Sequence, residues 1–313
     1  MDARKWSPSA FGGPEVLGEV AARVPDPEPA EVTIDGRAVG VNHADYRHFA
    51  ARPRRKHLGS SIGFEAAGVL TAVGPDTEIA SGGGAVGDEV LAFQLSNGYQ
   101  TAITVTADNV FAKPRMLSFP QAANLLLAGT TAAEMLDVAD VQSGDTVLVH
   151  GASGGVGTSA VQQARLLGAI VIGTTSEQHA DLVAQLGAVP VRYGAGFEDR
   201  VVRAAPGGIA AALDTAGTGQ AIDLSLALIA DRRQIVTIAA DSRARRDGFA
   251  ALGGVLSVQR CVPGVRAAAA DRARGSRQTD RADRRDVPLR AGAGGAAAAD
   301  GGPSRGKVAL LAG

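Results

Sequence analysis

The stretch Val147-Leu-Val-His-Gly-Ala-Ser-Gly-Gly-Val-Gly157 limits what this chain can fold into more than any other. Val147, Leu148 and Val149 form the short aliphatic run of a strand buried on both faces. Gly151, Gly154, Gly155 and Gly157 follow at once. Thr158-Ser-Ala-Val-Gln-Gln-Ala-Arg-Leu-Leu167 then sets Val161, Ala164 and Leu167 at helical spacing, and Gly168 ends the helix as a C-cap glycine. Ile170-Val-Ile172 reads as the next strand. Strand, glycine turn, helix and strand form the layout in which backbone approaches a pyrophosphate and a helix N-terminus aims its amides at the charge. Aligned on G-x-G-x-x-G, the turn presents Ala152, Gly154 and Gly157, with alanine in the first place. A glycine-rich turn that binds nothing is the alternative, but the flanking strand and helix favour a dinucleotide site. It would comprise Ala152, Ser153, Gly154, Gly155, Val156 and Gly157.

The end of the second strand bears on which dinucleotide binds. A site for NAD places Asp or Glu there, whereas NADP requires room for a phosphate. The strand runs out as Gly173-Thr-Thr-Ser176, with no carboxylate near Thr175, so NADPH is favoured. Ser176, Tyr193 and a nearby base, His179 or Arg192, are the expected phosphate partners. Glu177 argues the other way. Thr175→Asp is expected to move preference toward NADH.

A chain of 313 residues accommodates two domains. Lys+Arg number 31 against 32 Asp+Glu, so no basic excess points to nucleic acid. A single cysteine, Cys261, excludes an internal disulfide and a cysteine-caged zinc. The segment Met1-Asp-Ala-Arg-Lys-Trp6 lacks an apolar signal core, and no stretch is long and apolar enough for a membrane span. The expectation is a cytoplasmic protein with neither membrane nor nucleic-acid partners.

Up to about residue 122, short apolar runs separated by Gly and Pro read as a β-rich domain, with strands at about Glu31–Val41, within Ile62–Gly74 and after Gly87. Gln121 to Leu136 is helical in composition, with a small-residue interruption at Gly129 and Thr130. Beyond the glycine turn, strands at Val189–Tyr193, Ala210–Leu213 and Gln234–Ile238 alternate with helices, the pattern of a parallel sheet covered on both faces. The turns after Leu213 and Ile238 fall at carboxyl ends of strands, where such sheets bind ligands, and Ile238 is counted with the cofactor site.

Gly12-Gly-Pro-Glu-Val-Leu17, Val39-Gly-Val-Asn-His-Ala-Asp-Tyr46, Gly63-Phe-Glu-Ala-Ala-Gly68, Gly87-Asp-Glu-Val90, Ala152–Gly157 and Asp214-Thr-Ala-Gly217 together resemble the zinc-free quinone oxidoreductases, the zeta-crystallin-like branch of the medium-chain dehydrogenase/reductase superfamily. The resemblance spans roughly residues 10 to 255. It implies a β-rich GroES-like catalytic domain at 1–122, a doubly wound Rossmann domain at 123–257, and a return to the catalytic domain at 258–313. It also implies NADPH, hydride transfer to a quinone or activated alkene, and an isologous dimer through a strand at Gly248–Gly253. Zinc-dependent relatives carry Gly-His-Glu where this chain has Gly63-Phe-Glu65, so the catalysis is expected to be metal-free. An enoyl-thioester or alkenal reductase, and a nucleotide-binding protein without turnover, are the alternatives. From about 257 to 303 the chain is dominated by Arg, Ala, Asp and Gly with almost no apolar periodicity. That composition fits a compensated reading-frame shift; a natural disordered insert is the other reading. Arg305-Gly-Lys-Val-Ala-Leu-Leu311 again resembles the family's closing strand.

Asn42, Asp45 and Tyr46 fall where the family lines its catalytic cleft. Asn42 would bond the nicotinamide ribose or the substrate carbonyl. Asp45 would do so or cap a helix. Tyr46 would donate a proton or simply form an aromatic wall. Thr130 lies in a segment the family places beside nicotinamide. His43, Asp45 and His48 have metal-ligand types, but no cysteine supports them. His57 sits in a basic loop, Glu65 reads as a structural partner for a basic group, and His150 as a hydrogen-bonded core histidine.

Overall fold

Strand-forming segments from both ends of the sequence build one sheet, and a continuous central segment builds another. In the computed structural model, which describes residues 1–46, 49–50, 62–253 and 308–311, the first unit runs from Met1 to Leu127 and the second begins at Ala128.

In the first unit β1 (Asp2–Pro8) and β2 (Leu17–Arg23) form an antiparallel ribbon. The long β3 (Glu31–Val41) is followed by the single-turn α1 (His43–Tyr46), then β4 (Glu65–Val73), β5 (Glu89–Phe93), β6 (Ala102–Thr106), β7 (Val110–Ala112) and the short α2 (Phe119–Ala122). β3 is the organising strand. It pairs antiparallel with β4 and β6, and also with the closing strand Val308–Leu311, whose Val308 stands opposite Val41. Val32, Ile34, Leu70, Val90, Ile103 and Val110 fill this core. The expected closing strand therefore forms, while residues 257–303, with their anomalous composition, lie outside the described residues.

α3 (Leu126–Val138) carries the chain into the second unit. Gly129 and Thr130 do not interrupt it. The break falls instead between α2 and α3, and a lone glycine costs a helix only about 1 kcal/mol. The carbonyl of Gly129 also receives Gln163 Nε2 at 2.9 Å.

The second unit alternates β8 (Thr146–His150), α4 (Gly155–Leu166), β9 (Ile170–Thr175), α5 (Ala180–Gln185), β10 (Val189–Arg192), α6 (Phe197–Ala204), β11 (Ala211–Asp214), α7 (Gly219–Leu228), β12 (Ile235–Thr237), α8 (Asp241–Asp247) and β13 (Ala250–Ala251). All six strands are parallel, in the order β10-β9-β8-β11-β12-β13. Because successive side chains face opposite ways, Val147 and Val149 enter one core while Leu148 enters the other. Helices cover both faces, which is why the strands read as unbroken apolar runs. The order reverses between β8 and β11, and the glycine turn leaves β8 at that point.

His150, at the end of β8, is fully buried. Its Nε2 lies 3.0 Å from Ser225 Oγ and its Nδ1 3.4 Å from Thr174 Oγ1. Ser225 donates to the Ala221 carbonyl, and Thr174 Oγ1 accepts the Gly151 N–H. Each hydroxyl is thereby given a direction, which puts the imidazole proton on Nε2. It is the bonded core histidine the sequence suggests. Burial pushes its pKa from 6.5 down to about 4, against the opposing pull of Asp214. Above pH 6.5 neither folded nor unfolded imidazole is charged. Between 6.5 and about 4 the unfolded chain takes a proton that the folded one refuses, so stability falls as pH falls. The expected slope is about 1.4 kcal/mol per pH unit. Denaturant unfolding of wild type and His150→Gln across this range should show that slope reduced in the variant.

Candidate functional site

The glycine turn is shaped by close approach. Gly154 caps α4 with extended backbone and no side-chain hydrogen bond, and Thr158 N–H returns to its carbonyl at 2.9 Å. The amides of Gly155, Val156 and Gly157 open the helix, where no preceding turn supplies acceptors. A Cβ on Gly157 would lie 2.1 Å from the Gly151 carbonyl oxygen, so the helix is drawn onto the turn at a distance only glycine permits. Ala152 is fully buried, and its N–H donates to the Thr174 carbonyl at 3.0 Å. Its methyl occupies space left by Gly173 on β9, since a Cβ there would meet it at 2.8 Å. The alanine in the first place of the fingerprint is thus compensated on the neighbouring strand. Ser153 is half-buried and Gly154 exposed. The positive end of α4 and its free amides suit a pyrophosphate.

At the end of β9, Thr175 is fully buried and its hydroxyl has no hydrogen-bond partner. That corrects the expectation about Thr175→Asp: a carboxylate there would enter the core, because β10 pairs alongside with Arg192 opposite Thr175. Ser176 is the first residue past the strand with any exposure. Its Oγ lies 3.1 Å from His179 Nδ1. Tyr193, 44% exposed, donates its hydroxyl to the Thr174 carbonyl at 3.2 Å. Burial raises the pKa of this phenol. Arg192 is ion-paired with Glu177, so the base and the acid that the sequence sets on opposite sides of the cofactor question hold each other.

Along the same carboxyl edge, Asp214 is buried and fixes two turns. Its Oδ1 accepts the N–H groups of Ala216 and Gly217 at 3.1 and 2.9 Å, and its Oδ2 accepts the Thr237 hydroxyl at 2.6 Å. Thr237 Oγ1 in turn accepts Ala239 and Ala240 N–H. Half-buried Ile238 donates its N–H to the Asp214 carbonyl at 3.0 Å. Sequence reasoning singled out the Asp214 turn but missed Thr237; the signal available was a polar residue closing an otherwise apolar strand. Thr130 is half-buried within α3.

In the first unit, the carboxylate of Asp45 turns back to the Asn42 N–H at 2.7 Å, three residues earlier, which closes α1 as a capping acid does. The same oxygen accepts Tyr99 OH at 3.2 Å. Burial, then the Asp45 charge, raises the Tyr99 pKa. Asn42 Nδ2 donates to Glu65 Oε1 at 3.1 Å, and Glu65 Oε2 accepts the Leu127 N–H at 2.9 Å. Tyr46 is 43% exposed and meets Phe49 edge to face at 5.4 Å. Among the described residues no cluster of three or more His, Cys, Asp or Glu can hold a metal. His43 is exposed, and His48, His57 and Cys261 lie outside the described residues.

Residues 28–115 match the alcohol dehydrogenase GroES-like domain family, and residues 155–270 the zinc-binding dehydrogenase family. The quinone oxidoreductase of Salmonella typhimurium is 37% identical over 180 residues, 56% of this chain and 54% of that one. The chain thus spans about half the length of this curated relative. Among solved structures, a mycobacterial protein complexed with NADPH is 30% identical, covering 86% of this chain and 87% of that one at a TM-score of 0.72. The CurK enoyl reductase is 27% identical, covers 87% of both chains and has a TM-score of 0.72. With a GroES-like unit, a Rossmann unit and these relatives, the chain belongs to the quinone oxidoreductase family of the medium-chain dehydrogenase/reductase superfamily.

Proposed function

We propose that this chain is an NADPH-dependent, zinc-independent oxidoreductase that reduces a quinone or an enone. The observation that carries the reading is the cradle at Gly157, where helix and turn touch with no room for a side chain and the amides of Gly155, Val156 and Gly157 open outward. Bound there, NADPH would supply hydride to the conjugated carbonyl. Ala152 to Gly157 would bind the pyrophosphate, and Ser176, His179 and Tyr193 the 2′-phosphate, with Thr130 and Ile238 toward the nicotinamide. The pairing of Glu177 with Arg192 supports this assignment, since it neutralises the carboxylate nearest the phosphate. Tyr46, exposed, would offer its phenol as proton donor. Asp45 would act by holding α1 and the Asn42 backbone in place. Phe64, beside Glu65, supports chemistry without zinc, as phenylalanine offers no ligand.

The similarity to an enoyl reductase favours a second reading, reduction of an enoyl thioester with the same residues in the same roles. A dinucleotide-binding protein without turnover is the third. NADPH oxidation measured over quinones, enals and enoyl thioesters separates them. The largest kcat/KM names the substrate class, and NADPH binding without any oxidation supports the third.

β13 is the last strand of its sheet among the described residues, which supports a homodimer formed by pairing this edge with the same edge of a second copy. Sedimentation should give a dimer; a monomer overturns the pairing.

Two substitutions test the cofactor assignment. Gly157→Ala forces α4 off the turn and should lower NADPH affinity by about tenfold or more in a fluorescence titration, about 1.4 kcal/mol or above. Ser176→Asp places a carboxylate at the exposed position beyond β9. It should weaken NADPH by roughly ten- to a hundredfold and bring NADH to parity or better. Equal or tighter NADH binding by the wild type would reverse the assignment.

A further inference from the structure

Five consecutive carbonyl groups in the second unit, from Arg192 to Gly196, are held at one corner by α6 and above all by Arg200. β10 ends at Arg192, and the chain turns through Tyr193, Gly194, Ala195 and Gly196 into α6. Arg200, in the first turn of α6, folds its side chain back over this loop. Its Nη2 donates to the carbonyls of Arg192 and Tyr193 at 2.7 and 3.2 Å and lies 3.5 Å from that of Gly194. Nη1 donates to Ala195 at 2.6 Å and Nε to Arg192 at 3.3 Å. The Gly196 carbonyl accepts the backbone N–H of Arg200 at 3.2 Å. Gly194 and Gly196 take φ of +97° and +70°, a region open chiefly to glycine, and glycine holds a backbone shape poorly by itself. A Cβ on Gly196 would lie 3.3 Å from Nη1, so the guanidinium lies directly against the loop. A planar fork of N–H groups fits such a row of acceptors, whereas an ammonium is a single point.

The loop carries Tyr193, whose exposed phenol donates its one hydrogen to the Thr174 carbonyl at 3.2 Å. A phosphate only accepts. Tyr193 meets one by turning that hydrogen outward, a rotation about the C–O bond that leaves the ring where it is. The ring must then be held by something other than its hydroxyl. Phe197 lies beside it, with centroids 6.2 Å apart, and the backbone of Tyr193 is the part that Arg200 grips.

We infer that Arg200 is a positioning residue that grips the loop after β10 and so sets Tyr193 to pass its hydrogen bond from Thr174 to the 2′-phosphate of NADPH. This rests on the reading of Tyr193 as a phosphate partner. Arg200 acts through the geometry of the loop and not as a ligand, because its donors are occupied by carbonyls. Arg200, Tyr193 and the glycine turn all belong to the second unit.

Two substitutions separate geometry from charge. Arg200→Lys keeps the positive charge but loses the fork, and Arg200→Ala loses both. NADPH and NADH are titrated against wild type, both variants, Tyr193→Phe and the double variant Arg200→Ala/Tyr193→Phe. Each Arg200 variant should lower NADPH affinity about tenfold and leave NADH within about twofold of wild type. Once the phenol is gone, Arg200→Ala should lower NADPH affinity by less than about threefold more, since two residues acting as one are not additive. Hydrogen exchange at the Tyr193 and Phe197 amides, bonded to the Thr175 and Gly194 carbonyls, should quicken in both Arg200 variants.

Equal losses of NADPH and NADH would make Arg200 a support of the fold alone and overturn the inference. So would unchanged NADPH affinity in Arg200→Ala, or in Arg200→Lys, where charge by itself would then suffice. A further loss of about tenfold on top of Tyr193→Phe overturns it as well, because Arg200 would then act by another route. Wild type without a preference for NADPH, or Tyr193→Phe without loss, would instead defeat the reading of Tyr193, while the exchange rates still decide whether Arg200 holds the loop.

Discussion

The approach of α4 to the turn that follows β8 governs the second unit. With 2.1 Å between a hypothetical Cβ on Gly157 and the Gly151 carbonyl, the helix begins directly on the strand it follows. Its first amides therefore emerge at the carboxyl edge of the sheet, between β8 and the strand order's point of reversal. The same closeness propagates to β9, where Gly173 makes room for Ala152. Helix, turn and two strands are packed as one piece, and the concentration of glycine is the sequence record of that packing.

Around this piece lie polar groups that the fold buries and then satisfies. His150 reaches Ser225 on α7 and Thr174 on β9, and Asp214 joins the turns after β11 and β12 through Thr237. Buried polar groups cost free energy unless bonded, so these networks favour one arrangement of the strand ends over others of similar compactness. The first unit uses the same device at Asn42, Asp45, Glu65 and Tyr99. His150, Asp214, Thr237 and Glu65 stand at strand ends, where backbone groups leave the ladder and need partners, and their partners come from neighbouring strands, helices and turns.

The architecture was legible because its determinants are local. A glycine turn between an apolar strand and an amphipathic helix, followed by alternating strands and helices, leaves little choice of sheet. What escaped the sequence depended on neighbours distant along the chain. The burial of Thr175 depends on β10 lying alongside β9, and nothing in Gly173-Thr-Thr-Ser176 distinguishes the threonine that faces the core from the serine that does not. The partnership of Asp214 with Thr237 needs the order of β11 and β12 to be known. Gly129 misled for the opposite reason: a local helix-breaking signal was outweighed by the residues on either side of it. Asp45 lay between the two cases, since a bond three residues back is readable in sequence, but a buried carboxylate near a presumed cleft invites a chemical role as well.

The pairing of β3 with the closing strand has a consequence for the order in which the molecule is made. β8 to β13 come from one uninterrupted segment, so that sheet can close as soon as the segment has left the ribosome. The sheet of the first unit takes a strand from the far end of the sequence, with Val41 facing Val308. Until then β3 lacks its partner along that stretch, and an unpaired strand is a template for misplaced association. The second unit is thus positioned to fold during synthesis before the β-rich unit, which is completed only once the strand Val308–Leu311 has been made.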